Sequence, residues 1–235
     1  MIVLGVDTSS ESLMVSLIDD KRILANCNSI GTLKHSSLLF PAIQKSLKKI
    51  KAAPDDIDLL AVGLGPGSFT GLRVGITSMR GLAIALNKPI IGVPTMDAIA
   101  ENGFYCLRRG GLLDRINKVC VILDAKKSQV YACSYAWDGM KIARVTGYLL
   151  EPIDKLSKKL RGKILFIGNG VDIYKDALLG LKRVEASFGG KASWIPKAST
   201  IARIGLEDFM KGKTDNPYKL VPMYLYGHDC NVKRN

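Results

Sequence analysis

One eleven-residue run, Gly65-Pro66-Gly67-Ser68-Phe69-Thr70-Gly71-Leu72-Arg73-Val74-Gly75, sets the terms for the rest of the chain. It follows the apolar residues 57–64, which read as a buried strand, and leads into residues 76–86, whose apolar spacing is helical. A strand, a glycine-rich turn and a helix N-terminus together let α/β proteins bring backbone close to an anion or to a second chain. Four glycines in eleven residues mean that several positions need a positive φ or the absence of a Cβ.

The helix after the run carries two stripes. Leu72, Ile76, Met79, Ala83 and Leu86 form an apolar seam that faces a core. Gly71, Gly75, Ser78, Gly81 or Leu82, and Ala85 form a second stripe of mostly small residues at the same spacing. A glycine inside a helix costs about 0.5–1 kcal/mol relative to alanine, so a close contact must compensate. Two contacts are open at this point: this chain's own helix over 38–51, or a helix of another protein.

Before the run, residues 2–6, 13–18 and 22–26 read as an antiparallel meander whose first turn is Asp7-Thr8-Ser9-Ser10 and whose second is Asp19-Asp20. Ser36 or Ser37 is expected to cap a helix with Leu39, Ile43, Leu47 and Ile50 on one face and lysines on the other. Pro41 must sit in its first turns or bend it. After the run come a strand over 89–93 and a helix opening at Pro94-Thr95 and running to about residue 107. Gly110-Gly111 and the polar residues beyond mark a boundary. An N-terminal lobe over 1–109 and a C-terminal lobe over 110–235 are expected, the last segment packing back on the first lobe. The second lobe echoes the first, with strands over 119–123, 130–136 and 141–145, a polar turn over 125–128 and a hairpin turn at Asp138-Gly139. Asp7 and Asp124 end the two first strands 117 residues apart, which points to an internal duplication. Helices over 153–160, 171–181 and 199–210, a strand over 164–167 and a mobile tail over 227–235 complete the reading.

Machinery for catalysis is sparse. A hydrolytic triad needs a histidine base, and only His35 and His228 exist. There is no G-x-S-x-G, and Leu72-Arg73 stands where a Walker A loop needs Lys-Ser or Lys-Thr. Two isolated histidines and five cysteines without a C-x-x-C pair supply neither a zinc centre nor a disulfide framework. What remains is Asp7 beside Thr8 and Ser9, and Asp124 beside Lys126, Lys127 and Ser128. These could hold a magnesium–phosphate group or simply organise their turns. The 34 basic against 21 acidic residues give a net charge of +13, scattered in small groups, which serves general solubility or a surface for nucleic acid or an acidic partner. No apolar run reaches the ~18 residues of a membrane span. The start has neither a basic n-region nor a cleavage site, so the cytoplasm is expected.

The eleven-residue run resembles the signature of the TsaB (YeaZ) family, whose members work in tRNA N6-threonylcarbamoyladenosine (t6A) synthesis. The similarity extends to Gly5-Val6-Asp7-Thr8-Ser9-Ser10, His35-Ser36 with Leu39 and Pro41, Gly92-Val93-Pro94-Thr95, Asp124-Ala125 with Val130-Tyr131, and Gly168-Asn169-Gly170. Lys126, Lys127 and Gln129, and the stretch Pro222-Met223-Tyr224-Leu225-Tyr226, depart from the family's pattern. The resemblance implies an α/β, two-lobed actin/Hsp70/hexokinase-like (ASKHA) fold. It also implies a non-catalytic subunit. The related transferase, TsaD, carries an H-x-x-x-H metal site where this chain has Thr95 and Ile99, with Asp97 between them.

Members of the family pair with TsaD through the first two helices of the N-terminal lobe. An ATPase, TsaE, joins the pair, and the complex transfers threonylcarbamoyl to A37 of ANN-decoding tRNAs. By that comparison the partner interface is Leu39, Ile43 and Leu47 on the first helix and Gly71, Gly75, Ser78, Leu82 and Ala85 on the second. Asp7, Thr8 and Ser9 become a vestigial nucleotide site. No cofactor is implied for the chain itself, ATP and magnesium entering with the complex, and the isolated chain could form a homodimer. Two other classes stay open: a stand-alone nucleotide-binding or peptidase-like enzyme, and a direct tRNA-binding module resting on the +13 charge.

Overall fold

The structure is a computed structural model that describes residues 1–29, 31 and 34–225. The expected tail over 227–235, with His228 and Cys230, and residues 226, 30, 32 and 33 lie outside the described residues. Among the described residues no helix is long and apolar enough to cross a membrane. The chain divides into two compact units, residues 1–101 with 195–222, and residues 102–194 with the described residues from 223.

The first unit contains β1 (Val3–Asp7), β2 (Leu13–Ile18), β3 (Ile23–Ser29), α1 (His35–Lys49), β4 (Leu59–Gly63), α2 (Phe69–Leu86), β5 (Ile90–Val93) and the start of α3 (Thr95–Arg109). Its sheet runs β3-β2-β1-β4-β5, with β1 antiparallel to β2 and parallel to β4. Every residue of β1, β2 and β4 is buried, because helices cover both faces and leave no side for polar alternation. Leu4, Val6, Leu60 and Val62 meet Leu39, Ile43 and Leu47 of α1 and Leu72, Ile76 and Met79 of α2. Burying each such side chain contributes roughly 1.5–3 kcal/mol. Alternate residues Val3, Leu59 and Ala61 meet Ile201 and Ala202 on the opposite face.

Helix α1 starts at His35, and neither expected serine caps it: the Ser37 hydroxyl donates to the Lys34 carbonyl. The expected strand over 57–64 is shorter because Pro54–Asp56 forms a 3-10 turn before β4.

The second unit contains β6 (Lys118–Asp124), β7 (Gln129–Trp137), β8 (Ile142–Arg144), β9 (Leu149–Pro152), α4 (Ile153–Ser157), β10 (Gly162–Ile167), α5 (Gly170–Leu179) and β11 (Val184–Phe188). Its sheet runs β11-β10-β6-β7-β8, with β9 also paired to β7. With β9 set aside, β8-β7-β6-β10-β11 repeats the order β3-β2-β1-β4-β5 of the first sheet. The first two strands of each unit are antiparallel, and β1 is parallel to β4 as β6 is to β10. This repeated α/β order is the duplication expected of an ASKHA-like fold. Strands β9 and β11 were not expected.

Residues 195–222 bring α6 (Ala198–Met210) onto the first unit's sheet, where a Cβ at Gly5 would lie 2.2 Å from the Ala198 carbonyl oxygen. The division between units falls at 101/102 rather than 109/110. Helix α3 runs unbroken through that point: Ala98 packs in the first unit's core, and Gly103 abuts Val119 and Ile167 of the second. Gly110-Gly111 ends a helix, not a unit.

Candidate functional site

Asp7, at the end of β1, is fully buried. Its Oδ1 accepts from the Ser9 N–H at 2.9 Å and the Ser9 hydroxyl at 2.7 Å, and its Oδ2 accepts from the Thr95 hydroxyl at 2.7 Å. The Thr95 oxygen accepts in turn from the Gly65 N–H at 3.1 Å. Thr8 donates to the Gly71 carbonyl at 2.8 Å, and the Ser68 N–H donates to the Ser9 carbonyl at 2.7 Å. The turn at 8–10, the glycine-rich run and the start of α3 are thus stitched together through one carboxylate and its neighbours. Burial pushes the Asp7 carboxyl above its ordinary value, against the hydrogen bonds from Ser9 and Thr95. His35, also buried, bonds the Ser10 carbonyl through Nε2 at 3.0 Å. A carbonyl can only accept, so the imidazole carries its proton on Nε2.

The glycines of the run answer the question of what α2 approaches. A Cβ at Gly71 would lie 2.1 Å from the Thr8 carbonyl oxygen, and one at Gly75 would lie 2.1 Å from the Thr8 hydroxyl oxygen. Neither the first helix nor another protein fills that space; the Asp7–Ser10 turn does. Ser68 caps the helix by accepting from the Gly71 N–H, and the peptide between Gly65 and Pro66 is cis.

This placement corrects five residues of the expected interface. Gly71 and Gly75 are buried on the chain's own turn, and Leu39, Ile43 and Leu47 are core residues. Ser78 and Leu82 are half-buried, and Ala85 is exposed. The large apolar side chains that α1 and α2 leave exposed are Phe40 on the first and Phe69 and Ile84 on the second, at 46%, 54% and 41%. The Arg73 guanidinium lies 3.9 Å from the centre of the Phe69 ring. On α2 part of this exposure was visible in the sequence: Phe69, Arg73 and Thr77 recur every four positions and the row meets the small stripe at Gly81 and Ala85.

Asp124 occupies the matching place in the second unit and is held differently. Burial opposes its ionisation, yet Lys126, whose Nζ lies 2.7 Å away, holds the carboxyl below the usual range. Its backbone N–H donates to the Asn169 side chain. Lys126, Lys127 and Ser128 all adopt positive φ, so the turn is left-handed over three non-glycine residues, at roughly 1–2 kcal/mol each. Among the described residues no group of three or more His, Cys, Asp or Glu is placed to hold a metal ion.

Of the described cysteines, Cys106 is exposed and Cys120 is buried, its thiol pushed up to about 12 by burial. Iodoacetamide followed by peptide mass spectrometry should therefore alkylate Cys106 in the folded protein and leave Cys120 unmodified until denaturant is added. Equal labelling of the two would contradict the packing of β6.

A profile for the family described as "TsaD: tRNA N6-adenosine threonylcarbamoyltransferase" matches residues 29–205. The tRNA threonylcarbamoyladenosine biosynthesis protein TsaB of Bacillus subtilis (strain 168) is 28% identical over 99% of this chain and 97% of that protein. The TsaB protein of Escherichia coli (strain K12) is 30% identical over 96% of this chain and 94% of that protein. Among solved structures, YeaZ from Pseudomonas aeruginosa matches with a TM-score of 0.81 at 24% identity, covering 95% of this chain and 99% of that one. That last likeness speaks for the fold.

Proposed function

This chain belongs to the TsaB (YeaZ) family, within the wider group that the TsaD profile describes, and on that premise we propose that it is a non-catalytic subunit of tRNA t6A synthesis. In this reading it pairs with a TsaD-like catalytic chain, is joined by a TsaE-like ATPase and reaches tRNA through the complex. It works in the cytoplasm and needs no cofactor of its own.

The observation that carries the reading is the fate of two positions on α3. By the family resemblance, Thr95 and Ile99 stand where the transferase has its two metal-binding histidines. The Thr95 hydroxyl is spent on Asp7, and Ile99 is 1% exposed. Isoleucine offers no lone pair to a metal, so that chemistry has no seat here. The buried Asp7 supports the same reading, since both of its oxygens already accept hydrogen bonds from Ser9 and Thr95.

Pairing falls to the open face of α1 and α2. Two exposed phenylalanines and an isoleucine are the kind of apolar anchors that dominate interfaces. The same face could close a homodimer of the isolated chain. Co-purification from the native cell, with identification of bound proteins, tests the pairing; recovery without any TsaD-like chain would overturn it. The Phe40→Ala/Phe69→Ala double variant should weaken the complex by about 30-fold or more, in line with hot-spot losses of about 2 kcal/mol or more. Its urea midpoint should stay within error of the wild type. An unchanged dissociation constant would remove this face from the interface.

A further inference from the structure

Positive charge is divided unevenly along the chain. Residues 102–194 carry 17 basic against 8 acidic side chains, which is +9, whereas residues 1–101 with 195–222 carry 15 against 12, which is +3. Within the second unit, the start of β6 and the segment between α4 and β10 border a pocket of about 60 Å³. Lys118, Lys159, Arg161 and Thr146 line it over Leu160 and Ile164.

The cations on this rim are not equivalent. Lys159 is engaged by both Glu151 oxygens at 2.8 Å, so its charge is already balanced. The Lys118 ammonium donates to the Arg161 carbonyl at 3.3 Å, which ties the two residues to one edge. Among the described residues no carboxylate lies within ion-pair distance of Lys118 or Arg161. Two basic residues that border one small recess and have no carboxylate partner among the described residues present a field that an anion relieves.

The size of the recess narrows the ligand. Pockets for nucleosides and drug-sized molecules run to roughly 300 Å³ or more, whereas this one admits a single phosphoryl group. Its aromatic neighbour, Tyr135, is 3% exposed and offers no face on which a base could stack. The recognition available is of phosphate and not of base.

We propose that the pocket bordered by Lys118 and Arg161 seats a backbone phosphate of RNA, so that the second unit contacts RNA directly. The choice of RNA over an acidic protein rests on the tRNA-directed role proposed above; the pocket's preference for an anion does not.

The test titrates a short fluorescein-labelled oligoribonucleotide with the full chain and with two charge-matched variants at several salt concentrations. Lys118→Glu/Arg161→Glu should weaken binding roughly tenfold or more and lower the slope of log affinity against log salt by about 1 to 2. Lys21→Glu/Lys219→Glu, which removes the same charge from exposed positions of the first unit, should stay within about twofold of the wild type. If the first variant unfolds, as judged by circular dichroism, Lys118→Gln/Arg161→Gln replaces it.

Absence of RNA binding by the wild type overturns the proposal. So does an equal loss in both variants, which would mean diffuse charge. Displacement of the RNA by polyglutamate at matched charge would assign the pocket to an acidic protein instead. Co-purification with a TsaD-like chain depends on Phe40 and Phe69 and is expected to survive in Lys118→Glu/Arg161→Glu, so the two readings fail separately.

Discussion

Gly71→Ala should destabilise this protein by about 3 kcal/mol or more, although helix propensity alone predicts a gain of about 1 kcal/mol. The new methyl carbon would lie 2.1 Å from the Thr8 carbonyl oxygen, far inside contact distance. The obstacle is backbone, so no rotamer change relieves it. The backbone in question is also tethered, by the Thr8 hydroxyl on the Gly71 carbonyl and by the Ser68 N–H on the Ser9 carbonyl. Either the turn or the first turn of α2 must move, and both are packed against the core. Gly81→Ala supplies the comparison within the same helix. Gly81 is exposed, and a Cβ there meets nothing within 4 Å, so propensity should act alone and raise stability by up to about 1 kcal/mol. Urea denaturation of the three proteins reads both effects. A Gly71→Ala variant as stable as the wild type would contradict the close approach of α2 to the Asp7–Ser10 turn.

Asp7→Ala is the second large effect, with an expected loss of about 3 kcal/mol. It would strand the Ser9 N–H, the Ser9 hydroxyl and the Thr95 hydroxyl without their acceptor in a fully buried place. Each orphaned buried donor costs about 1–3 kcal/mol, partly recovered where a hydroxyl can turn to another acceptor. Asp7→Asn keeps the shape and isolates the charge. Burial raises the folded carboxyl above its ordinary value of 3.8, so between those two values the folded state binds more protons than the unfolded one. The contribution of Asp7 is therefore fully present below pH 3.8 and declines as pH rises through the folded value. Relative to Asp7→Asn, the wild type should lose stability as the pH is raised through that window. A relative gain with rising pH would mean that the Ser9 and Thr95 hydrogen bonds outweigh burial.

Much of the fold was legible because it follows from simple periodicities. The first three strands of each unit, the aspartate that ends each first strand and the apolar seam of α2 all follow from spacing. The repeated strand order then arises because each unit solves the same packing problem. Strands β9 and β11 escaped for a physical reason: they are short, neither has a fully buried residue to mark a face, and neither follows a hairpin turn like the Asp138-Gly139 that announces β8. The boundary between units escaped because a continuous helix crosses it, and helix periodicity says nothing about which sheet a given turn packs on.

The candidate site was half legible. The glycine stripe did signal a close backbone approach, but composition cannot say whether the approaching chain is foreign. Thr8, 63 residues earlier than Gly71, filled that role. Once those glycines are assigned inward, the neighbouring positions Phe69, Thr77, Gly81 and Ala85 turn outward, and the candidate partner face moves with them.

The central claim is that this chain supports threonylcarbamoyl transfer without performing it. The most direct measurement incubates tRNA and labelled threonylcarbamoyl-adenylate with this chain alone, with a TsaD-like catalytic chain alone, and with both. The account predicts no labelled tRNA from this chain alone and more from the pair than from the catalytic chain by itself. Labelling by this chain alone that disappears in Asp7→Asn would contradict it, because it would make the buried carboxylate a catalytic group.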